Sequence, residues 1–103
     1  MLSNEDYIDV RNWLWSLEDD FKLVCKSPKF TFEIGITEVA ECFVSVDDMM
    51  IKFSVSPKRN NALTATLYSE EKEKYTCKLL NSVNKDNLET AKNVMLNFAG
   101  NEL

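Results

Sequence analysis

The sequence predicts an α+β fold: a two-layer sandwich in which an antiparallel sheet of four or five strands is covered on one face by an N-terminal and a C-terminal helix. Three observations lead there. Apolar residues recur at steps of three and four at both ends of the chain, the spacing of a helix with one buried stripe. Between them lie stretches of two-residue alternation, the spacing of strands with one face in a core and the other in water. The 103 residues suit a single domain, residues 1–103, since one core commonly takes about 100–150 residues.

The first helix is expected over residues 4–23. Ser3 and Asp6 stand at the capping-box distance. Tyr7, Val10, Leu14, Leu17 and Phe21 then share one face, which Trp13 and Val24 widen. Ser27-Pro28 ends the helical run, because a residue before proline avoids the α region. In the first strand Phe30, Phe32, Ile34 and Ile36 alternate with Thr31, Glu33 and Gly35. The second is expected over residues 39–46, with Cys42, Val44 and Val46 on one side. Asp47-Asp48 makes a turn. Met49, Ile51, Phe53 and Val55 form the inner row of the third strand. After a polar loop over residues 56–61, Leu63, Ala65 and Leu67 form that of the fourth.

Residues 69–83 read two ways. As a helix, Ser69 would cap it, Glu70, Glu71 and Glu73 would suit its N-terminal dipole, and Thr76, Leu79, Leu80 and Val83 would share a face. As a strand near residues 74–80, Tyr75, Cys77 and Leu79 would point inward. Thr76 and Cys77 are poor helix formers, which favours the strand. The last helix is expected to be capped by Asp86, with Glu89 closing the box. Leu88, Ala91, Val94, Met95 and Phe98 would line its inner face, and Gly100 would sit at its C-terminal cap.

Charge is the least evenly spread property. The formal net charge of −5 resides entirely in the first twenty residues, where Glu5, Asp6, Asp9, Glu18, Asp19 and Asp20 face only Arg11. The remainder is balanced. Both tryptophans, Trp13 and Trp15, belong to the same segment. Three features stand out as candidate sites. Ile8 and Trp15, one heptad apart, make a second and smaller apolar patch, with Arg11 and Asn12 one turn before Trp15 and acids one turn after it. Trp15 either rests on a neighbouring loop or strand end with its indole N–H hydrogen-bonded, or stands exposed as an aromatic anchor with an acidic rim, the pattern of an interface hot spot. Glu18-Asp19-Asp20 would fall either in the last turns of a helix reaching residue 23, where the dipole disfavours negative charge, or in a solvated loop if the helix ends near Glu18. The polar sheet face, made of Thr31, Glu33, Lys52, Ser54, Thr64, Thr66, Tyr68 and Lys78, is the third.

Other chemistries lack their parts. Histidine is absent, so Ser-His-Asp and Cys-His sites cannot be assembled within this chain. Cys25, Cys42 and Cys77 are too widely spaced for a zinc ribbon and are expected as free, mostly buried thiols in a reducing compartment. Neither acid cluster has the spacing of a calcium loop, and Gly35 and Gly100 are isolated, so no phosphate-cradling loop exists. No metal or cofactor is expected. Basic residues are scattered, which argues against direct nucleic-acid binding. No apolar run reaches a membrane span, and the start lacks a signal-peptide pattern, so the expected location is the cytoplasm.

The expected function is that of a non-enzymatic acidic protein-binding domain, a monomer or homodimer, that masks or inhibits a basic protein surface. Small acidic α+β proteins of this kind include immunity proteins, antitoxins and phage-encoded inhibitors of nucleases or defence complexes. Its expected contact residues are Ile8, Asn12, Trp15, Glu18, Asp19 and Asp20. The order of elements over residues 7–83 also resembles type III secretion chaperones, which are small, acidic and dimeric. There Lys78-Leu79-Leu80-Asn81, if helical, would match that family's central helix, whereas the closing helix departs from it. A small enzyme would have to work through carboxylates, Lys, Tyr or Cys, and no such constellation is visible.

Overall fold

The computed structural model describes residues 4–71 and 74–103. The expected Ser3 cap and the Glu73 contribution fall outside the described residues. The order is α1 (Asn4–Trp15), α2 (Glu18–Lys22), β1 (Lys29–Ile34), β2 (Ala40–Val46), β3 (Met49–Ser56), a 3₁₀ turn (Pro57–Arg59), β4 (Ala62–Ser69), β5 (Tyr75–Leu80) and α3 (Leu88–Glu102). The five strands form one antiparallel meander in the order β1-β2-β3-β4-β5. This is the expected α+β arrangement.

Alternation sets the inner face of the sheet. Cys42 lies opposite Phe53, Val44 opposite Ile51, and Phe53 opposite Ala65, so apolar residues meet across every central strand pair. All of these are fully buried. They form one cluster with Val10, Leu14, Leu17 and Phe21 from the first two helices and Ala91, Met95 and Ala99 from α3. Phe21 is the joint. Its ring stacks on Phe53 at 5.5 Å and meets Phe30 at 6.0 Å, while Phe98 of α3 reaches Phe53 edge-on at 6.2 Å.

The expected single helix over residues 4–23 is two helices. The Ser16 N–H donates to the Trp13 carbonyl at 2.9 Å, and Ser16 Oγ donates to the same oxygen at 2.6 Å. The Leu17 N–H reaches back to Leu14 at 3.4 Å. These i−3 bonds tighten the chain and end α1. Leu17 sits at φ −86°, ψ 2°, outside the helical well, and α2 starts afresh at Glu18. Glu18, Asp19 and Asp20 therefore occupy the first turn of a helix, where the dipole tolerates acids. The dipole conflict expected for them does not exist. Helical structure ends at Lys22, well before Pro28, and Val24 is exposed rather than part of the buried stripe.

Residues 75–80 are strand, so the segment Lys78-Leu79-Leu80 supplies no central helix. β5 slips register against β4 between Leu63 and Thr64. Cys77, Leu79 and Leu80 all pack against the core, which the slip permits. Ile36 is not a strand residue; it stands fully exposed in the turn after β1. Asp86 does not cap α3. The residue before the helix is Asn87, whose side chain instead holds the preceding loop: its Oδ1 accepts from the Asn84 N–H and its Nδ2 donates to the Ser82 carbonyl, both at 2.9 Å. Gly100 lies inside α3 with no positive φ, so it is not the expected C-terminal cap.

The polar loop before β4 hides one buried polar residue. Asn60 and Asn61 take left-handed φ of 57° and 55°, a region that asparagine tolerates better than most residues. Asn61 is buried. It donates from Nδ2 to the Val83 carbonyl at 3.2 Å, and its own carbonyl accepts the Val83 N–H at 2.9 Å. This pair ties the chain after β5 to the β3–β4 connection.

Two substitutions test these assignments. Phe21→Ala should cost about 3–5 kcal/mol of unfolding free energy, because it opens a cavity between sheet and helices. Gly100→Ala should instead add about 0.5 kcal/mol, since it replaces a helical glycine at a site where the new methyl meets Val24 Cβ at an ordinary 3.7 Å. Urea denaturation of both variants checks the signs. A neutral Phe21→Ala would contradict the joint.

Candidate protein-docking surface

Trp15 ends α1 and is 63% exposed, yet it is not loose. Its indole lies flat on the Phe32 ring, with centroids 5.4 Å apart and planes 9° from parallel. Phe32 belongs to β1, an edge strand. A large aromatic side chain is thus held in one orientation with its second face open to solvent, which lowers the entropy lost when something covers it.

Ile8 and Asn12 precede Trp15 by two turns and one, on the same side of α1, and both are exposed. The other end of this row is pinned to the β1–β2 turn. The Tyr7 hydroxyl donates to the Glu38 carbonyl, and the Arg11 guanidinium stands 6.0 Å above the Tyr7 ring. Tyr7, Ile8, Arg11 and Glu38 line a small crevice. Burial raises the Tyr7 phenol pKa, and Glu38 adds to that rise while Arg11 opposes it. Tyr7 near Glu38 and Trp15 on Phe32 together set α1 antiparallel to β1. Ile34, half exposed, lies between those two contacts along the strand. An apolar row therefore borders the acidic helix.

The acids of α2 are partly paired. Lys22 Nζ lies 3.6 Å from both Glu18 and Asp19, and Lys92 of α3 lies 4.0 Å from Asp20 and 3.1 Å from Glu89. In each case one lysine serves two carboxylates, so negative charge is left over. Exposed pairs of this kind contribute little, and a competing cation can take their place. Asp19 is almost fully exposed at 95%. Asp20 is drawn towards α3, where it helps close the α2–α3 seam, and so stands apart from the row that Ile8, Asn12 and Trp15 make.

The opposite face of the sheet is uncovered but internally satisfied at its centre. Lys52 Nζ pairs with Glu41 at 3.4 Å, and Thr66 Oγ1 bonds Thr76 Oγ1 at 3.0 Å. Burial alone would lower the Lys52 pKa, but the neighbouring Tyr68 hydroxyl and Glu41 outweigh it and hold the ammonium form. Lys74 stands 5.7 Å above the Tyr68 ring. A broad basin of about 660 Å³ opens beside Lys52 and Glu41 towards Lys58 and Arg59. Burial works against thiolate formation. All three are free, and burial raises the pKa of Cys25, of Cys42 most strongly, and of Cys77, where Glu102 adds to it. Among the described residues, no three Cys, Asp or Glu side chains converge as a cation site requires. Among the same residues, no helix is long and apolar enough to cross a membrane.

No protein-family model, curated protein or solved structure matches the chain.

Phe32 and Ile34 were absent from the sequence-based site. Periodicity assigns both to a buried row, and nothing in a single strand's pattern says that it lies at an edge. A double-mutant cycle over Trp15→Ala and Phe32→Ala measures the stack directly. The coupling should be about 0.5–1.5 kcal/mol, the range for aromatic pairs. Additive effects would mean that the two rings do not act together.

Proposed function

We propose that this chain is a protein-binding domain that docks through α1 and the start of α2 onto a basic surface of another protein, and thereby masks it. One observation carries the reading: Trp15 is a rigidly supported aromatic ring left mostly open in the one segment that holds all the net negative charge. Soluble proteins leave isolated apolar residues exposed freely, but an oriented tryptophan on the same side of α1 as exposed Ile8, in an acidic segment, has the composition of a docking centre. Opposite potential would speed encounter, and burial of the indole would slow release. Glu18 and Asp19 would exchange Lys22 for the partner's cations. Such a mode suits an inhibitor of the immunity-protein, antitoxin or anti-defence kind, acting in the cytoplasm without catalysis.

The test is quantitative capture from the native host, comparing the wild type with Trp15→Ala and with the double variant Glu18→Lys/Asp19→Lys. The account expects a basic protein retained by the wild type and reduced by about tenfold or more by each variant, the loss expected when a hot-spot residue or a steering charge pair is removed. A retained protein indifferent to both variants would remove this surface from the function.

A further inference from the structure

We infer that β1 pairs with β1 of a second copy of this chain, joining two sheets into one across a two-fold axis at Thr31. β1 is an edge strand, and among the described residues its only sheet neighbour is β2. The direction of its free backbone groups follows from the β1–β2 ladder. The Gly35 N–H donates to the Val39 carbonyl at 2.8 Å, and Ile34 pairs with Ala40 in an unbroken antiparallel register down to Lys29 opposite Ser45. Hydrogen-bonded and non-hydrogen-bonded pairs alternate along such a ladder. Gly35, Glu33, Thr31 and Lys29 therefore direct their backbone groups into β2, and Ile34, Phe32 and Phe30 direct theirs outward.

The sequence of β1 is complementary to its own reverse. Turned about Thr31, Lys-Phe-Thr-Phe-Glu places Phe30 opposite Phe32 of the second copy and Lys29 opposite Glu33 of the second copy. The phenylalanines are the residues with outward N–H and C=O groups, so they fall at hydrogen-bonded positions and exchange both bonds on each side of the axis. Lys29 and Glu33 fall at the non-hydrogen-bonded positions, where side chains approach closest and opposite charges stabilise the pair. Both lie on the uncovered face, both are exposed, and neither makes an ion pair among the described residues.

A strain within the single copy points the same way. Glu33 stands directly opposite Glu41 in the β1–β2 register, an unfavourable like-charge pair. Glu41 is occupied by Lys52, but Glu33 has no cation of its own. Lys29 of the second copy would supply it. The other sheet edge lacks these features: β5 carries a register irregularity, which blunts pairing, and its Tyr-Thr-Cys-Lys-Leu-Leu sequence offers no charge complement to itself. Charges on edge strands commonly prevent association. Here their signs at mirror positions would select one self-pairing register.

The experiment is a charge swap read by sedimentation equilibrium over a concentration series from sub-micromolar to hundreds of micromolar. The wild type should show a monomer–dimer equilibrium. Lys29→Glu sets glutamate against Glu33 of the other copy, and Glu33→Lys sets lysine against Lys29; each should weaken dimerisation by about tenfold or more, with two like-charge pairs per joint. The double variant Lys29→Glu/Glu33→Lys rebuilds both pairs with signs exchanged and should restore the dimer. Thermal unfolding of all four proteins verifies folding. A wild type that stays monomeric throughout overturns the inference, as does a dimer unaffected by the single changes or not restored by the swap. No partner is needed, so these outcomes leave the reading of α1 untouched.

Discussion

The break at Ser16–Leu17 is the constraint on which the remaining geometry depends. The break separates Trp15, which rests on Phe32 of the edge strand, from Phe21, which packs between Phe30 and Phe53. Ser16 ends α1 with two bonds to one carbonyl, one from its backbone and one from its side chain. The chain then turns, and Phe21 drops between Phe30 and Phe53 while Trp15 stays on Phe32. The same turn relocates Glu18, Asp19 and Asp20 from the end of one helix to the start of another, where their charge costs nothing against the dipole. The placement of these three acids is thus a consequence of one local event.

One-sided cover follows from composition. Every strand offers one apolar row, and the helices supply apolar residues enough for a single face. The uncovered face therefore resolves its polarity internally, through Lys52–Glu41 and Thr66–Thr76, and the edge at β1 keeps the unbalanced remainder: Phe32 and Ile34 half covered, Lys29 and Glu33 unpaired. The acidic helix borders that edge. Whatever meets this protein there finds apolar surface, free backbone groups and negative charge within one region.

The legible and illegible parts of the fold divide along physical lines. Alternation in β1 to β4 was legible because side-chain direction in a strand follows sequence parity. β5 was legible from Thr76 and Cys77, whose weak helix propensity outweighed the acids before them. The helix break was not, because Leu14, Leu17 and Phe21 keep helical spacing through it and all three end up buried. Asp86 and Asn87 are adjacent residues of equal capping promise, and the choice between them fell to Asn84 and Ser82, whose bonds to Asn87 are tertiary detail. Of the candidate site, the position of Ile8 and Trp15 off the main stripe was legible, but whether Trp15 is exposed or rests on a neighbouring strand was not; it does both, lying on Phe32 of β1 with much of its surface open. Phe32 beneath Trp15, the lysines beside the three acids and the edge position of β1 depend on which elements become neighbours, which periodicity does not encode.

The central claim is that Trp15 stands open in a negative field, and differential fluorescence quenching tests it most directly. In a Trp13→Phe variant, Trp15 is the sole indole. Neutral acrylamide should quench it readily because the ring is exposed, and, each measured relative to free N-acetyltryptophanamide, caesium should quench it more and iodide less, because the net negative charge of this segment attracts the cation and repels the anion. An indole shielded from acrylamide, or one whose caesium and iodide quenching, so normalised, are equal, would contradict this claim.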